Sequence, residues 1–344
     1  MGGTSQVHEH PCWLSLSTRG VRTCHLHSQK QDPEEVSLNC SLQLGPQWQQ
    51  DVEAMKIIDV HSHWGTRRGY PLQTEKELAQ QRATWNSETK YHTESEMAEH
   101  FRQSGVRAIL DLGYAKYRPL EEMRALHDYA FETEAAHRDA ILGHWVHIDP
   151  QRAGLDGIKE LRRCIDKRIG FLGYAISASL SPPASDPLYK PYYDLCTEAG
   201  IPVLIFVGTT GLGAGLPGGD GVILDYCHPR HLDWVAAHNP QLKIVGARPG
   251  WPWQAEVIAV LMHKRNIWYE LHGWSPKYHT PDLKHDIARR LKDRILFGAD
   301  YPLFSYERLV KDWRAEGYAN EILEKVFWRN GERFLAECGV KAVS

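Results

Sequence analysis

The sequence lacks the features that mark membrane, secreted and nucleic-acid-binding proteins. It contains no run of eighteen apolar residues, so no membrane-spanning helix is expected. Its first residues have no continuous apolar stretch of the kind that a secretory signal needs. The formal net charge is only −3, which argues against a surface for nucleic acid or another polyanion. These absences predict a protein with no membrane and no nucleic-acid partner.

Cysteine is also scarce. The seven cysteines among 344 residues are odd in number and lack close pairing, which argues against a disulfide framework or a zinc knuckle. A reducing, cytoplasmic location is therefore expected. The chain does have the composition of a globular protein, with 42% hydrophobic and 24% charged residues. Its length suffices for one large domain, since an eight-stranded α/β barrel takes about 250 residues.

The first 54 residues differ from the rest of the chain. They are polar, they hold four histidines and three of the cysteines, and they show no sustained hydrophobic period. Such a composition buries little apolar surface and favours a loosely ordered segment. We therefore predict an N-terminal extension over residues 1–54, dispensable for chemistry, and one domain over residues 55–344.

From residue 56 onwards, short apolar runs alternate with longer amphipathic stretches. This alternation is typical of parallel strands joined by crossover helices. Helices are predicted over residues 119–136, 155–166 and 253–264. The eight predicted strands cover residues 57–63, 106–113, 141–148, 170–177, 202–207, 243–247, 267–271 and 295–299. Eight such repeats predict an α/β fold of the (β/α)8 TIM-barrel class, whose active site lies at the carboxyl ends of the strands.

Two histidines one residue apart end the first predicted strand. Alternate side chains of a strand share a face, so His61 and His63 are expected to meet one point. Neutral imidazole is a common ligand of zinc and other divalent metals. The last predicted strand ends in Asp300, whose carboxylate would reach the same rim and could bind metal or accept a proton from water. The metal ligands predicted from the sequence are therefore His61, His63 and Asp300.

These motifs resemble the amidohydrolase superfamily, in the branch related to aminocarboxymuconate semialdehyde decarboxylase. The resemblance rests on Asp59-Val60-His61-Ser62-His63 and Leu296-Phe297-Gly298-Ala299-Asp300-Tyr301-Pro302, with shorter matches at residues 201–205 and 249–253. It implies a TIM barrel, a divalent metal, with zinc expected, and hydrolase or decarboxylase activity. The family also has histidines after strands five and six, where this chain has Phe206 and Arg248. Since phenylalanine cannot bind metal, a metal-free site is an alternative.

Two further residues are candidate catalytic groups beside Asp300. His272 follows strand seven and could replace a missing ligand or act on the substrate, or it could merely hydrogen-bond Trp274 or a loop carbonyl. Arg248 could grip a substrate carboxylate, or replace the metal as electrophile, or form a salt bridge with Glu270 or Asp300. The sequence leaves these alternatives open.

Aromatic residues and two loops are expected to border the site. The predicted substrate-binding residues are Arg248, Trp64, Trp251, Trp274 and Tyr278, which follow strands one, six and seven. The long polar segment 66–93 is predicted to be a lid over the barrel mouth. The glycine-rich segment 208–219 formally matches a dinucleotide-binding pattern, but Pro217 stands where a helix should begin. We interpret it as a flexible loop beside the site.

The leading functional hypothesis is a hydrolase of a small carboxylated or aromatic carbonyl compound, such as a lactone, amide or ester. In it, the metal activates water and Asp300 is the general base. A carboxy-lyase acting on an aromatic or unsaturated acid is the second hypothesis. A metal-free lactonase or a non-catalytic ligand-binding barrel is the third. A small-molecule partner is expected in each case, and a homo-oligomer is an open alternative.

Overall fold

The computed structural model describes residues 56–113, 118–177 and 181–341. The extension predicted over residues 1–54 lies outside these ranges. No helix in the described residues is long and apolar enough to cross a membrane. The cysteines of these ranges are Cys164, Cys196, Cys227 and Cys338, all of them buried and none in a disulfide.

Eight parallel strands form one sheet in sequential order. Their bounds are β1 Ile57–His63, β2 Val106–Asp111, β3 Ile141–His147, β4 Phe171–Ile176, β5 Val203–Phe206, β6 Ile244–Ala247, β7 Ile267–Glu270 and β8 Ile295–Leu296. All eight predicted strands are confirmed, and several are shorter by one or two residues. The largest difference is β8, which has two residues because the chain turns away towards the site after Leu296.

The barrel closes through backbone hydrogen bonds between the first strand and the segment that follows β8. Val60 N donates to Phe297 O at 2.9 Å, Asp300 N donates to His61 O at 3.0 Å, and His63 N donates to Tyr301 O at 2.7 Å. This seam places the end of β1 directly beside Asp300.

Helices surround the strands on the outside of the barrel. Their bounds are α1 Glu75–Trp85, α2 Glu94–Gln103, α3 Leu120–Ala136, α4 Pro150–Lys167, α5 Lys190–Ala199, α6 Pro229–His238, α7 Gln254–His263, α8 Pro281–Ile287, α9 Tyr306–Ala315, α10 Asn320–Glu324 and α11 Asn330–Glu337. A π-helical turn, Lys325–Arg329, joins the last two. Short 3₁₀ helices cover Pro187–Tyr189, Pro217–Gly221, Leu224–Cys227 and Pro276–Tyr278. The three predicted helices are confirmed as α3, α4 and α7.

The segment over residues 66–93 is not the plain loop that its polar composition indicates, because it contains α1. A capping box starts this helix, with Thr74 Oγ1 accepting from Glu77 N and the Glu77 carboxylate accepting from Thr74 N. Asn86 ends it in the left-handed conformation. The weak amphipathic pattern of α1 hides it in the sequence, whereas its caps are recognisable.

The core lies inside the barrel and between its strands and helices. Every residue of β1 and β3 is buried, which is expected for a parallel sheet covered on both faces. The strand interiors are therefore apolar, and the polar residues buried among them need partners. Those polar residues gather at the carboxyl ends of the strands.

Candidate functional site

Asp59 fixes the relative positions of the first and last strands. Its side chain is fully buried, with Oδ1 accepting from His61 N at 3.0 Å and from Ala299 N at 3.1 Å. Its Oδ2 accepts from the Tyr306 hydroxyl at 2.8 Å and from the Ser62 hydroxyl. Burial raises the pKa of Asp59, while these four donors oppose the rise. One carboxylate thus holds the two segments that carry the predicted ligands.

His61 and His63 meet at the rim, as the sequence predicts, with ring centroids 5.5 Å apart. His63 Nε2 lies 3.1 Å from Asp300 Oδ1, and its Nδ1 is 3.3 Å from the backbone oxygen of Asp111. His61 Nε2 lies 3.1 Å from Asp111 Oδ2, and its Nδ1 is 3.2 Å from Glu270 Oε1. The structure therefore brings His61 close to His63 and His63 close to Asp300, and it places two further carboxylates at His61. Among the described residues, Asp300 belongs to no group of three ligand atoms that all lie within 4.8 Å of one another.

Asp111 ends β2 and is fully buried beside His61. Its Oδ1 accepts from Gly113 N at 2.7 Å and contacts His147 Nε2 at the end of β3. Burial opposes ionisation of Asp111, but His147 and His61 outweigh it and hold the pKa well below its ordinary value. The carboxylate is therefore ionised and held in one orientation.

Glu270 and His272 form a second pair at the end of β7. His272 Nδ1 lies 2.5 Å from Glu270 Oε1, and His272 N donates to Glu270 Oε2 at 2.8 Å. The His272 ring stacks on that of His61 at 3.7 Å. Burial lowers the pKa of His272 to about 4, so its imidazole is neutral near pH 7. The partner of His272 is thus Glu270, and not Trp274 or a loop carbonyl.

The cluster carries an excess of negative charge. Burial alone would lower the pKa of His61, but Glu270 and Asp111 raise it to about 10. Burial alone would raise the pKa of Asp300, but the close contact with His63 and the influence of the neighbouring histidines lower it instead. Three ionised carboxylates outnumber the single charge of protonated His61, so the cluster attracts a cation, and a metal ion that binds His61 would displace its proton.

The donor set fits a divalent metal ion. Among the described residues, His61, His63 and Asp111 offer ligand atoms that all lie within 4.8 Å of one another, and so do His61, Glu270 and His272. The buried atoms His61 Nδ1, His61 Nε2, Asp111 Oδ2 and Asp300 Oδ1 make no hydrogen bond. Since buried polar atoms rarely remain unsatisfied, an ion in this cluster would account for them. Imidazole and carboxylate are also ligands that zinc and manganese accept.

A cavity of about 610 Å³ opens beside the cluster, and Asp300, Arg248, Trp274 and Arg308 are among its lining residues. Arg248 and Asp300 both have positive φ angles, 77° and 61°, which non-glycine residues rarely adopt and which often mark functional positions. At each of these two residues the chain changes direction after a strand. The cavity has the size of a small-molecule site.

Arg248 packs on Phe206, the residue that stands at the family's histidine position. Its guanidinium carbon lies 4.7 Å from the centroid of that ring, and Nη1 donates to Thr209 O at 3.2 Å. The buried Nε makes no hydrogen bond. Within the described residues, no ion pair joins Arg248 to Glu270 or Asp300, so that interpretation of Arg248 is wrong. A guanidinium with an unsatisfied donor, in a residue that lines a cavity, suits an anionic ligand.

The predicted aromatic residues lie in different places. Trp274 lines the cavity, and Trp251 packs near it at 6.3 Å between ring centroids while remaining 49% exposed. Tyr278 is 59% exposed and contacts Lys277. Trp64 is fully buried against Tyr129. Among the described residues that line the cavity, Trp64, Trp251 and Tyr278 are absent, because the chain after β1 turns inward and the other two face solvent.

Two residues of the site, Asp111 and Glu270, received no functional role from the sequence. Each is a polar residue at the end of an otherwise apolar strand, and that position is the signal that could have found them. The family pattern instead directs attention to strands five and six. One expectation for the neighbouring loop holds, since Thr209, Thr210 and Gly211 border the cavity.

The fold and the cluster define a (β/α)8 barrel with a candidate metal centre at the carboxyl ends of its strands. Residues 58–336 match the family model described as Amidohydrolase. The chain therefore belongs to the amidohydrolase family, which confirms the resemblance seen in the sequence, and it is an enzyme of that superfamily. No curated protein matches it.

Solved structures with the same fold include enzymes of two reaction types. An uncharacterised TIM-barrel protein from Bordetella bronchiseptica is 20% identical, with a TM-score of 0.64 and coverage of 83% of this chain and all of that one. The 5-carboxyvanillate decarboxylase of Novosphingobium aromaticivorans, complexed with manganese, is 15% identical, with a TM-score of 0.61 and coverage of 83% and 97%. A probable 2-pyrone-4,6-dicarboxylic acid hydrolase from Acinetobacter baumannii, with citric acid bound, is 12% identical, with a TM-score of 0.53 and coverage of 82% and 100%. At these identities the likeness shows the fold alone.

Proposed function

We propose that this enzyme is a metal-dependent hydrolase of a small carboxylated or aromatic carbonyl compound, such as a lactone, amide or ester. The observation that supports the proposal best is the buried set of histidine nitrogens and carboxylate oxygens, four of whose atoms make no hydrogen bond. Asp300 belongs to this set and also lines the cavity, so a substrate there would meet the cluster.

Each residue of the proposed mechanism has a role that its surroundings support. His61, His63 and Asp300 would hold a metal ion, which supplies Lewis-acid activation of water and of the substrate carbonyl. Asp300 accepts the proton of the attacking water, since its lowered pKa keeps it ionised near pH 7. His272 is neutral and adds no charge to the site. Its ring stacks on that of His61, with 3.7 Å between the ring centroids, and holds the His61 ring in place.

Arg248 and Trp274 are the proposed substrate-binding residues inside the cavity. The unsatisfied Nε of Arg248 would donate to a substrate carboxylate or to the oxyanion that develops on the carbonyl. Trp274 offers an apolar face to a flat substrate. Zinc is the proposed metal because imidazole and carboxylate suit it, with manganese as the alternative. A cytoplasmic location, a small-molecule substrate and a homo-oligomeric state complete the proposal.

Decarboxylation of an aromatic or unsaturated acid is the second candidate. It is favoured by the decarboxylases among the enzymes that share the fold, and Arg248 would anchor the carboxylate in this reaction too. Decarboxylation needs an acid that protonates carbon when carbon dioxide leaves. The carboxyl groups of Asp111, Glu270 and Asp300 all have lowered pKa values, which makes them poor proton donors, so in this reaction the proton would come from another group.

The test compares the wild-type enzyme with Asp300→Asn on a panel of lactones, amides, esters and aromatic acids, after metal analysis of both. We expect bound metal in the wild type and a loss of kcat of about 10²–10⁴ in the variant, the range for a general base. Asp286→Asn is the matched control, because Asp286 on α8 is a buried carboxylate that accepts a hydrogen bond from Arg290. Carbon dioxide release would favour decarboxylation. Full activity of wild type in a chelator, with less than about a tenth of an equivalent of metal, would rule out the metal-dependent hydrolase.

A further inference from the structure

The chain lacks a metal ligand at the end of β5, where Phe206 stands. The Phe206 ring packs between His61, at 5.7 Å, and the guanidinium of Arg248, at 4.7 Å. A phenyl ring donates no lone pair to a metal, and the arginine behind it would repel a cation. The side of His61 that faces Phe206 and Arg248 is therefore unsuited to an ion.

The other side of His61 has the features of a metal site. His61 Nδ1 is 3.2 Å from Glu270 Oε1, and His63 Nδ1 is 3.3 Å from the Asp111 carbonyl. In metal sites, a histidine commonly uses one ring nitrogen for such an acceptor and the other for the metal. Here, both Nε2 atoms face a carboxylate oxygen at 3.1 Å, Asp111 Oδ2 for His61 and Asp300 Oδ1 for His63.

Asp111 is held ready to present one oxygen to this point. Its Oδ1 is occupied by Gly113 N and His147 Nε2, whereas its Oδ2 is buried and makes no hydrogen bond. Glu270 differs, because each of its oxygens bonds to His272. Of the two candidate groups that contain His61, the one with Asp111 thus has the vacant donor atom.

We infer that Asp111 Oδ2 is a metal ligand, which takes over in this chain the place of the missing β5 histidine. Together with His61 and His63, whose ligand atoms and its own all lie within 4.8 Å of one another, it gives a set of two nitrogens and one oxygen from β1 and β2. Asp300 Oδ1 lies 3.1 Å from His63 Nε2 but, among the described residues, outside this group. Glu270 and His147 are positioning residues that orient His61 and Asp111. The inference rests on the proposed metal dependence, and it adds a ligand that the sequence did not predict.

The test measures metal binding rather than turnover. Metal-free wild type, Asp111→Asn and the control Asp286→Asn are titrated with Zn²⁺ by calorimetry, and their Co²⁺ forms are compared by visible absorption. We expect about one equivalent in wild type and control, and an affinity at least about a hundredfold lower in Asp111→Asn, beyond the usual effect of an orienting residue. The Co²⁺ spectrum should change as well, because one oxygen donor is lost.

Equal affinity and an unchanged Co²⁺ spectrum in Asp111→Asn would overturn the inference while leaving the proposed function intact. Absence of metal binding in wild type would instead contradict the metal dependence itself. Melting curves recorded with a chelator establish that each variant folds. If Asp111→Asn does not fold, Asp111→Glu provides the test, since it keeps the carboxylate. That variant should still bind Zn²⁺ but with a shifted Co²⁺ spectrum, and a wild-type spectrum would contradict the assignment.

His147 offers a second measurement on the same site. Replacing it by alanine removes the group that holds Asp111 Oδ1 but leaves His61, His63 and Asp111 in the chain. We expect Zn²⁺ affinity to fall by about 10–100-fold, as is typical of groups behind a ligand, with the Co²⁺ spectrum unchanged. A loss as large as that of Asp111→Asn, with a changed spectrum, would show that His147 itself binds the metal and would overturn its role as a positioning residue.

Discussion

Asp59 contributes no chemistry in the proposed mechanism, yet it determines where His61 and Asp300 lie. Its two oxygens accept four hydrogen bonds, from His61 N, Ser62 Oγ, Ala299 N and Tyr306 Oη. Two of these donors belong to β1 and two belong to the C-terminal part of the barrel. A fully buried acceptor of this kind is costly to remove, because each donor then loses its partner in a site without water.

We predict that Asp59→Ala lowers the free energy of unfolding by about 3–5 kcal/mol, the range for removing one partner of a buried charged interaction. The same variant should bind Zn²⁺ more weakly, since the seam between β1 and the segment after β8 loosens. Urea denaturation with a chelator measures the first effect, and calorimetric titration measures the second.

Tyr306→Phe is the control for this residue. It removes one of the four donors, at 2.8 Å from Asp59 Oδ2, and keeps the ring in the core. We expect the free energy of unfolding to fall by about 1.5–3 kcal/mol, the usual contribution of one hydrogen bond to a charged group. Equal losses in Tyr306→Phe and Asp59→Ala would contradict the view that Asp59 organises the seam.

At the residue scale, the sequence predicted the site in part. His61 lies beside His63, and His63 lies beside Asp300, because the alternation of a strand and the common rim of a barrel are general rules. Asp111, by contrast, reaches His61 through strand pairing, and a single sequence does not reveal which atoms face each other across strands. The exposure of Tyr278 and the burial of Trp64 depend on loop paths, which short motifs do not specify.

At the element scale, α1 and the glycine-rich loop form one unit beside the cavity. Gln80 Nε2 donates to Ala214 O at 2.6 Å, and Thr84 Oγ1 donates to the same oxygen at 3.3 Å. A Cβ built on Gly211 would lie 2.1 Å from Trp85 Cζ2, so the Trp85 ring rests on the backbone of the loop. Since Trp85 and Gly211 both line the cavity, these contacts give the lid predicted over residues 66–93 a structural basis.

We predict that Gly211→Ala displaces Trp85 and loosens α1. Because the added methyl group cannot fit at 2.1 Å, the ring must move away from the loop. Amide hydrogen exchange in a peptide covering α1 should become at least about fivefold faster, which corresponds to about 1 kcal/mol, and KM should rise. Global stability should change little, since α1 lies outside the barrel core.

Gln80→Ala serves as the comparison for the lid. It removes one hydrogen bond between α1 and the glycine-rich loop without adding a larger side chain. Amide hydrogen exchange in α1 should therefore become faster, while the contact between Trp85 and Gly211 remains. Unchanged exchange in Gly211→Ala would contradict the proposal that α1 and the loop act as one unit.

The elements themselves were predictable to different degrees. Runs of apolar residues identified every strand, because a strand covered on both faces needs them along its whole length. Helix α1 was missed as a helix because most of its residues are exposed or half-buried, which leaves no apolar stripe. Its capping box would have located the start of the helix. The prediction of a lid used only the length of the segment 66–93, which does not reveal a helix inside it.

At the scale of the whole molecule, a buried ion network outside the site joins α3 to α4. Glu160 Oε1 lies 2.7 Å from His127 Nδ1 and 2.7 Å from Arg163 Nη2, and Oε2 accepts from Arg124 at 3.1 Å. Burial opposes ionisation of Glu160, but His127 and Arg163 outweigh it and lower its pKa below the ordinary value of 4.5. The ionised carboxylate therefore stabilises the folded state above about pH 4.5, and this contribution is lost as the pH falls further.

We predict that Glu160→Gln lowers the free energy of unfolding by about 3 kcal/mol at pH 7, as for a broken buried ion pair. The difference in free energy of unfolding between wild type and variant should become smaller as the pH falls below about 4.5. The wild type then loses the stabilising contribution of the ionised Glu160 carboxylate, which the variant lacks at every pH. Urea denaturation at several pH values, with a chelator present, measures both effects.

Asp128→Asn is the control for the acid dependence. Asp128 pairs with Arg163 at 2.7 Å but its side chain is 40% exposed, so its loss should cost less than about 1 kcal/mol. A pH-independent difference between Glu160→Gln and wild type would show that the ionised form of Glu160 does not stabilise the fold.

The hydrogen bond between Ala299 N and Asp59 Oδ1 joins residues 240 positions apart in the sequence. On the ribosome, the histidines of the first strand are therefore synthesised long before their carboxylate neighbour Asp300 emerges. A nascent chain that stops before residue 300 therefore has the two histidines but not this carboxylate. The proposed metal centre would accordingly be assembled late in synthesis, only after every strand of the barrel has been made.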